Sequence, residues 1–269
     1  MAMSRWYRSS AFIAVVVIVA VIGGTTAYCG IWPPVSVVES GSMQHGSYWM
    51  PGVINTGDMV FVKRTPDPYS SVVTYVVGRE EGIRTYGEYG DVILYRAPSG
   101  EVIIHRAMFL LEWHNGTPYV VGYHGQSWLV VTDNYVLIKD VGYSHRNFYF
   151  PLAPVRNETG FITMGDHNFA VSPVYNATLD AYDAADQSPP PAGFGFPPVK
   201  ASDVVGIAFG QIPWFGLIKL NLMRLQGDWP YYNEVPKGSY RDLGISLAAI
   251  VVALVFPYRG VARRVRKGH

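Results

Sequence analysis

From Ala11 to Ala27 the chain reads AFIAVVVIVAVIGGTTA, without one charged side chain, and no other stretch constrains the fold as strongly. Backbone N–H and C=O groups in a bilayer core must pair within their own segment, so a run like this crosses a membrane as a helix of about 20 residues. Arg5 and Arg8 precede it, as they also would precede the apolar core of a signal peptide, but the length favours the spanning helix. A lipoprotein anchor at Cys29 needs a small residue before the cysteine, and Tyr28 stands there. Near the other end, Leu243 to Tyr258 (LGISLAAIVVALVFPY) is apolar but shorter, and Arg259, Arg263, Arg264, Arg266 and Lys267 follow it. A second span is expected there, with a buried or interfacial helix as the alternative. Positive clusters at both ends put both termini on the cytoplasmic side. The expected organisation is an anchor over residues 1–29, an extracytoplasmic domain over 30–240, a second span over 243–258 and a basic tail over 259–269. Sequons at Asn115 (NGT), Asn157 (NET) and Asn176 (NAT) are compatible with that exposure.

Composition narrows the function. In 269 residues, 49% hydrophobic and 14% aromatic side chains supply one sizeable core. A net charge of +1 lacks the broad basic surface that neutralising phosphates requires, which sets nucleic acid aside as a partner. The single cysteine, Cys29, allows no intramolecular disulfide, and no paired Cys/His spacing suggests zinc, so no metal or cofactor is expected.

Between the apolar ends the chain reads as short strands. VSVVES, DMVFVKR, DVILYR, EVIIHRAMFLLEW, PYVVGY, WLVVT, YVLIKDV, GFITMGD and DVVGIAFG favour β-branched and aromatic residues between Gly, Pro, Asn or Asp. The expected fold class is mainly β. From about His114 to Glu158 the Tyr-, Trp- and Gly-rich chain looks like an insertion that elaborates the core sheet. Asp186 to Pro198 (DQSPPPAGFGFPP) must be a loop, because proline removes ladder donors.

Hydrolysis by a serine requires a nucleophilic hydroxyl, a base to take its proton, and donors at the developing oxyanion. Ser42 sits in ESGSM after an apolar strand, where Gly41 allows a tight turn; alone, this is a polar turn like many others. His105 closes the apolar run EVIIHR, and an imidazole is the side chain suited to act as base near neutral pH, although a half-buried structural histidine fits the same pattern. Asp166, in FITMGDHN, is either an acid for that histidine or a turn cap.

The order and flanks of these pieces resemble the signal peptidase I family, in its archaeal and endoplasmic-reticulum branch. That family places a membrane anchor before a strand ending in SGSM, then GDxVxV, a strand ending in HR, GDxN and DVVG. Here the matching residues are Ser40 to Met43, Gly57 to Val62 (GDMVFV), His105-Arg106, Gly165 to Asn168 (GDHN) and Asp203 to Gly206, spread over nearly the whole chain. The resemblance implies a signal-peptidase-like β domain, Ser42 as nucleophile and His105 as general base, where the bacterial branch uses lysine. It further implies oxyanion or substrate-binding roles for Ser40 and Met43, no cofactor, signal-peptide-bearing preproteins as substrates and the lipid membrane as the working surface. A substrate would lie as an extended strand beside VSVVES. Lys63 reads as a solvated charge.

Three departures stand against the pattern. QHGSYWMPGVINT replaces the usual short continuation after SGSM, and it brings His45 close in sequence to Ser42 as a rival base. Relatives carry a second aspartate soon after GDxN, where this chain has Ser172. An insertion of about a dozen residues would bring Asp180, Asp183 or Asp186 into that place, and the spacing to DVVG favours Asp186; Asp166 remains level with it as the orienting acid. Two other functions stay open: a catalytically silent, membrane-tethered β domain that binds peptide or glycan, and another serine protease on a related scaffold.

Overall fold

The computed structural model describes residues 10–255. In chain order the elements are α1 (Ser10–Cys29), β1 (Val35–Val37), β2 (Met59–Lys63), α2 (Pro68–Ser71), α3 (Tyr75–Glu81), β3 (Arg84–Thr85), β4 (Glu88–Tyr89), β5 (Val92–Arg96) and β6 (Val102–His114). They continue with β7 (Thr117–Val120), β8 (Leu129–Val131), β9 (Tyr135–Val141), β10 (Arg146–Pro151), β11 (Gly160–Met164), α4 (Asp166–Val171), β12 (Tyr175–Asn176) and β13 (Ala181–Tyr182). The last are β14 (Val204–Ile212), α5 (Gly216–Gln226) and α6 (Ser239–Val255).

All nine runs expected as strands contain or overlap one, and the chain between the apolar ends is mainly antiparallel β-sheet. The principal sheet runs β1-β2-β14-β5-β6-β11, with β7 added to the far end of β6. The segment from His114 to Glu158 differs from expectation. Apart from β7 it does not extend that sheet but builds most of a second one, β12-β13-β10-β9-β8, which also recruits two strands from beyond α4. Apolar side chains on one face of each sheet explain this. Phe148, Phe150, Val136 and Ile138 of the second sheet share one buried core with Met108, Phe109, Leu111 and Ile162 of the first. Four short helices, α2 to α5, also interrupt the expected all-β reading.

The long strand β6 organises the molecule. It pairs with β5 over Val102–Arg106 and with β11 over Arg106–Leu111, and a register shift makes Met108 an extra residue opposite β11. This bulge keeps Met108, Phe109 and Leu111 on the shared core, where strict alternation would have turned Phe109 and Leu111 away.

Among the described residues α1 is the helix long and apolar enough to cross a membrane, over Phe12–Cys29. The expected second span lies partly outside them. Within them, α6 carries buried Leu243 and exposed Ile245, Ile250, Val251 and Val252. Residues 256–258 of that span, the basic tail and Arg5 and Arg8 lie outside the described residues.

Candidate active site

β1 and β6 lie four ladders apart along the principal sheet, yet Ser42 beyond β1 meets His105 on β6. The sheet therefore curls until its two ends face each other. Ser42 Oγ is 3.0 Å from His105 Nε2, and His105 Nδ1 is 2.7 Å from Asp186 Oδ2. Ser42 is half-buried, while His105 and Asp186 are 3% and 1% exposed. With Nδ1 protonated and facing the carboxylate, Nε2 presents its lone pair to the serine hydroxyl.

Strand alternation decides which acid meets which base. Consecutive strand residues point to opposite faces, so His105 and Arg106 part company. On the His105 face, Thr163 of β11 pairs in register with Ala107, and Tyr95 of β5 sits opposite Ile103. Tyr95 and Thr163 hydroxyls each donate to Asp186 Oδ2 at 2.7 Å, the oxygen that also accepts from His105. Burial and the adjacent carboxylate push the Tyr95 phenol up, so it remains a donor. Gln187 locks the arrangement: its Oε1 accepts from Thr163 N at 2.9 Å and its Nε2 donates to Thr163 Oγ1 at 3.2 Å. Asp186 N donates to Thr163 O at 2.9 Å, fixing the loop along β11.

On the opposite face, Arg106 holds Asp166 through Nε at 2.8 Å and Nη2 at 2.7 Å. Burial opposes the charge of Asp166, but Arg106 and a hydrogen bond from His45 more than offset it and hold the carboxyl at about 2. His45 Nε2 is 3.1 Å from Asp166, and its ring stacks on Tyr143 with centroids 4.3 Å apart. Neither His45 nor Asp166 touches the Ser42–His105 pair through a hydrogen bond. Asp180 is exposed and bonded to Tyr175, and Asp183 caps the Ala185 amide, so neither joins the site. Lys63 is exposed over the Tyr28 ring, as expected of a solvated charge.

The turn from β11 into α4 docks the nucleophile. His167 N and Asn168 N donate to Ser42 O at 2.8 and 3.4 Å. Gly165 permits the approach: a Cβ there would lie 2.7 Å from Ser42 O and 2.9 Å from His105 Nε2. From the other side, Trp229 Nε1 donates to Glu39 O at 2.8 Å, and Gly41 N donates to Glu234 at 2.6 Å. Neither the Ser42 N–H nor the Ser40 hydroxyl has a hydrogen-bond partner among the described residues. The Met43 side chain, expected to contact substrate, is 1% exposed and lies in the buried cluster with Val38, Ile54 and Val60.

Tyr95 and Thr163 escaped the reading of the sequence, as did the roles of Gln187 and of Gly165, which it read only as part of GDHN. The signals were a hydroxyl on each of two otherwise apolar strands, DVILYR and GFITM, on the parity that faces His105. No protein-family profile matches the chain, and no curated protein matches it in sequence.

Proposed function

We propose that the chain is a membrane-anchored serine endopeptidase of the signal peptidase I type, which cuts signal peptides from exported proteins on the outer face of the membrane. The observation that carries this reading is the Ser42–His105–Asp186 relay, with contacts of 3.0 and 2.7 Å, assembled behind an apolar helix able to span a bilayer. The order of SGSM, GDMVFV, HR, GDHN and DVVG along the chain supports the same family and a signal-peptidase-like domain.

His105 Nε2 takes the Ser42 proton as Oγ attacks the scissile carbonyl. Asp186 stabilises the imidazolium, and Ser42 N–H and Ser40 Oγ receive the oxyanion. The imidazolium then gives its proton to the departing amine. Water, deprotonated by the same nitrogen, releases the acyl group from Ser42. An extended substrate needs a free strand edge. Glu39 C=O and Gly41 N–H, in and just after VSVVES, are already bonded to Trp229 and Glu234, which weakens the expectation that the peptide pairs there. Over Val102–His105, β6 pairs with β5 alone, and its outer edge leads straight to His105. That edge is the better partner for the substrate. In this reading α1 and the apolar run over 243–258 both span, with both termini cytoplasmic. A silent binding domain would rest on Ser172 standing where relatives carry an aspartate; the contact of Asp186 with His105 supplies a carboxylate from another position and supports the protease reading instead.

Incubating the full-length protein in detergent with a preprotein tests the proposal. Wild type is expected to release the signal peptide, and Ser42→Ala and His105→Ala to release none above background. Full cleavage by Ser42→Ala would sink it.

A further inference from the structure

Beside the Asp186 end of the relay, a cleft of about 260 Å³ opens between α4 and the loop that follows Asp186. Its lining includes Asn168, Val171, Pro173, Ala184, Asp186 and Phe194. Val171 and Phe194 are 60% and 54% exposed, an apolar surface in a cleft that Asp186 also lines. The Asn168 side-chain amide makes no hydrogen bond to a described residue. Its nitrogen and His105 Nε2 flank one point, the place of a Cβ on Gly165, at 3.1 and 2.9 Å. The cleft wall also hangs on the acid: Phe194 N and Phe196 N donate to Asp186 O at 3.0 and 3.3 Å.

His105 must deliver its proton to the leaving nitrogen, so the departing chain passes the His105 side of Ser42. We propose, on the protease reading above, that this cleft is the subsite for the leaving side of the scissile bond. It takes an apolar side chain from the first residue of the mature protein against Val171 and Phe194, and Asn168 donates to that residue's main-chain carbonyl. Selection at this position therefore belongs to Phe194, whereas the acyl side is read elsewhere.

The same subsite must bind an amine that attacks the acyl-enzyme. In that step the amine nitrogen bonds to the Ser42 ester carbonyl, the Oγ–C bond breaks, and the amine proton passes through His105 to Ser42 Oγ. The test uses the full chain in detergent, a signal-peptide ester as acyl donor, and leucinamide or aspartic acid amide as acceptors. Both acceptors draw on one acyl-enzyme, so damage to the relay cancels from their ratio. Wild type is expected to transfer to leucinamide about tenfold or more over the acidic acceptor, a discrimination in the range of apolar pockets. Phe194→Ala is expected to bring the ratio close to one, Phe194→Leu to restore most of it, and Asn168→Ala to lower transfer to both acceptors relative to hydrolysis. Equal transfer by wild type, or undiminished selectivity in Phe194→Ala, would overturn the subsite while leaving the protease reading intact. A wild type that forms no acyl-enzyme would overturn both.

Discussion

Asp186 Oδ2 gathers three donors at 2.7 Å, from His105, Tyr95 and Thr163, so the carboxylate behind the histidine is ordered and paired despite being 1% exposed. Asp166, also buried, faces Arg106. The two aspartates should therefore fail differently. Asp186→Asn is expected to fold and to lose about 10⁴ in kcat, because an amide favours the wrong imidazole tautomer. Asp166→Asn strands a buried guanidinium and is expected to lose about 3 to 5 kcal/mol of stability with a smaller catalytic effect. Acid should narrow that stability gap. The folded carboxyl lies at about 2, below its ordinary value, so its contribution is complete above the unfolded pKa and disappears as pH falls through about 2. Peptide turnover and denaturant unfolding at several pH values measure both; the opposite pattern would hand the catalytic role to Asp166.

At the scale of elements, the nine strands were legible because β-branched and aromatic runs alternate between turn residues, a local property. The assembly of the second sheet was not: its β8 and β9 were expected as strands, but β12 and β13 are two residues each, β13 pairing with the distant β10 and β12 with β13. The turn between β11 and α4 carries the sharpest prediction. A methyl group on Gly165 would press on Ser42 O and His105 Nε2 together, both closer than van der Waals contact. Gly165→Ala is expected to reduce turnover about 10²-fold, the cost of misplacing reacting groups by about 1 Å, while most of the β fold persists. Circular dichroism and kcat on one preparation would check it, and a wild-type rate would mean that the docking of α4 on Ser42 is dispensable.

For the whole molecule, the principal sheet brings Ser42 to His105 by curling, and α1 leaves the domain with an apolar surface over its length. If both apolar ends cross the bilayer, a protease added to right-side-out vesicles should digest residues 30–240 and spare the termini. Protection of that domain together with loss of an epitope placed on the RRVRKGH tail would reverse the topology.

The sequence by itself determined the long apolar N-terminal helix and the β character, and it singled out Ser42 and His105 as candidates. Each of these rests on local composition or on short motifs in a fixed order. It narrowed the acid to Asp186, favoured by its spacing to DVVG, and Asp166, which follows the apolar run GFITM, and could go no further. Only the tertiary structure separated them. Thr163 and Arg106 face opposite sides of one sheet, so the parity of β6 sends His105 to Asp186 and leaves Asp166 with Arg106 and His45. That parity depends on the register between β5, β6 and β11, a relation between distant segments that no single stretch of chain encodes.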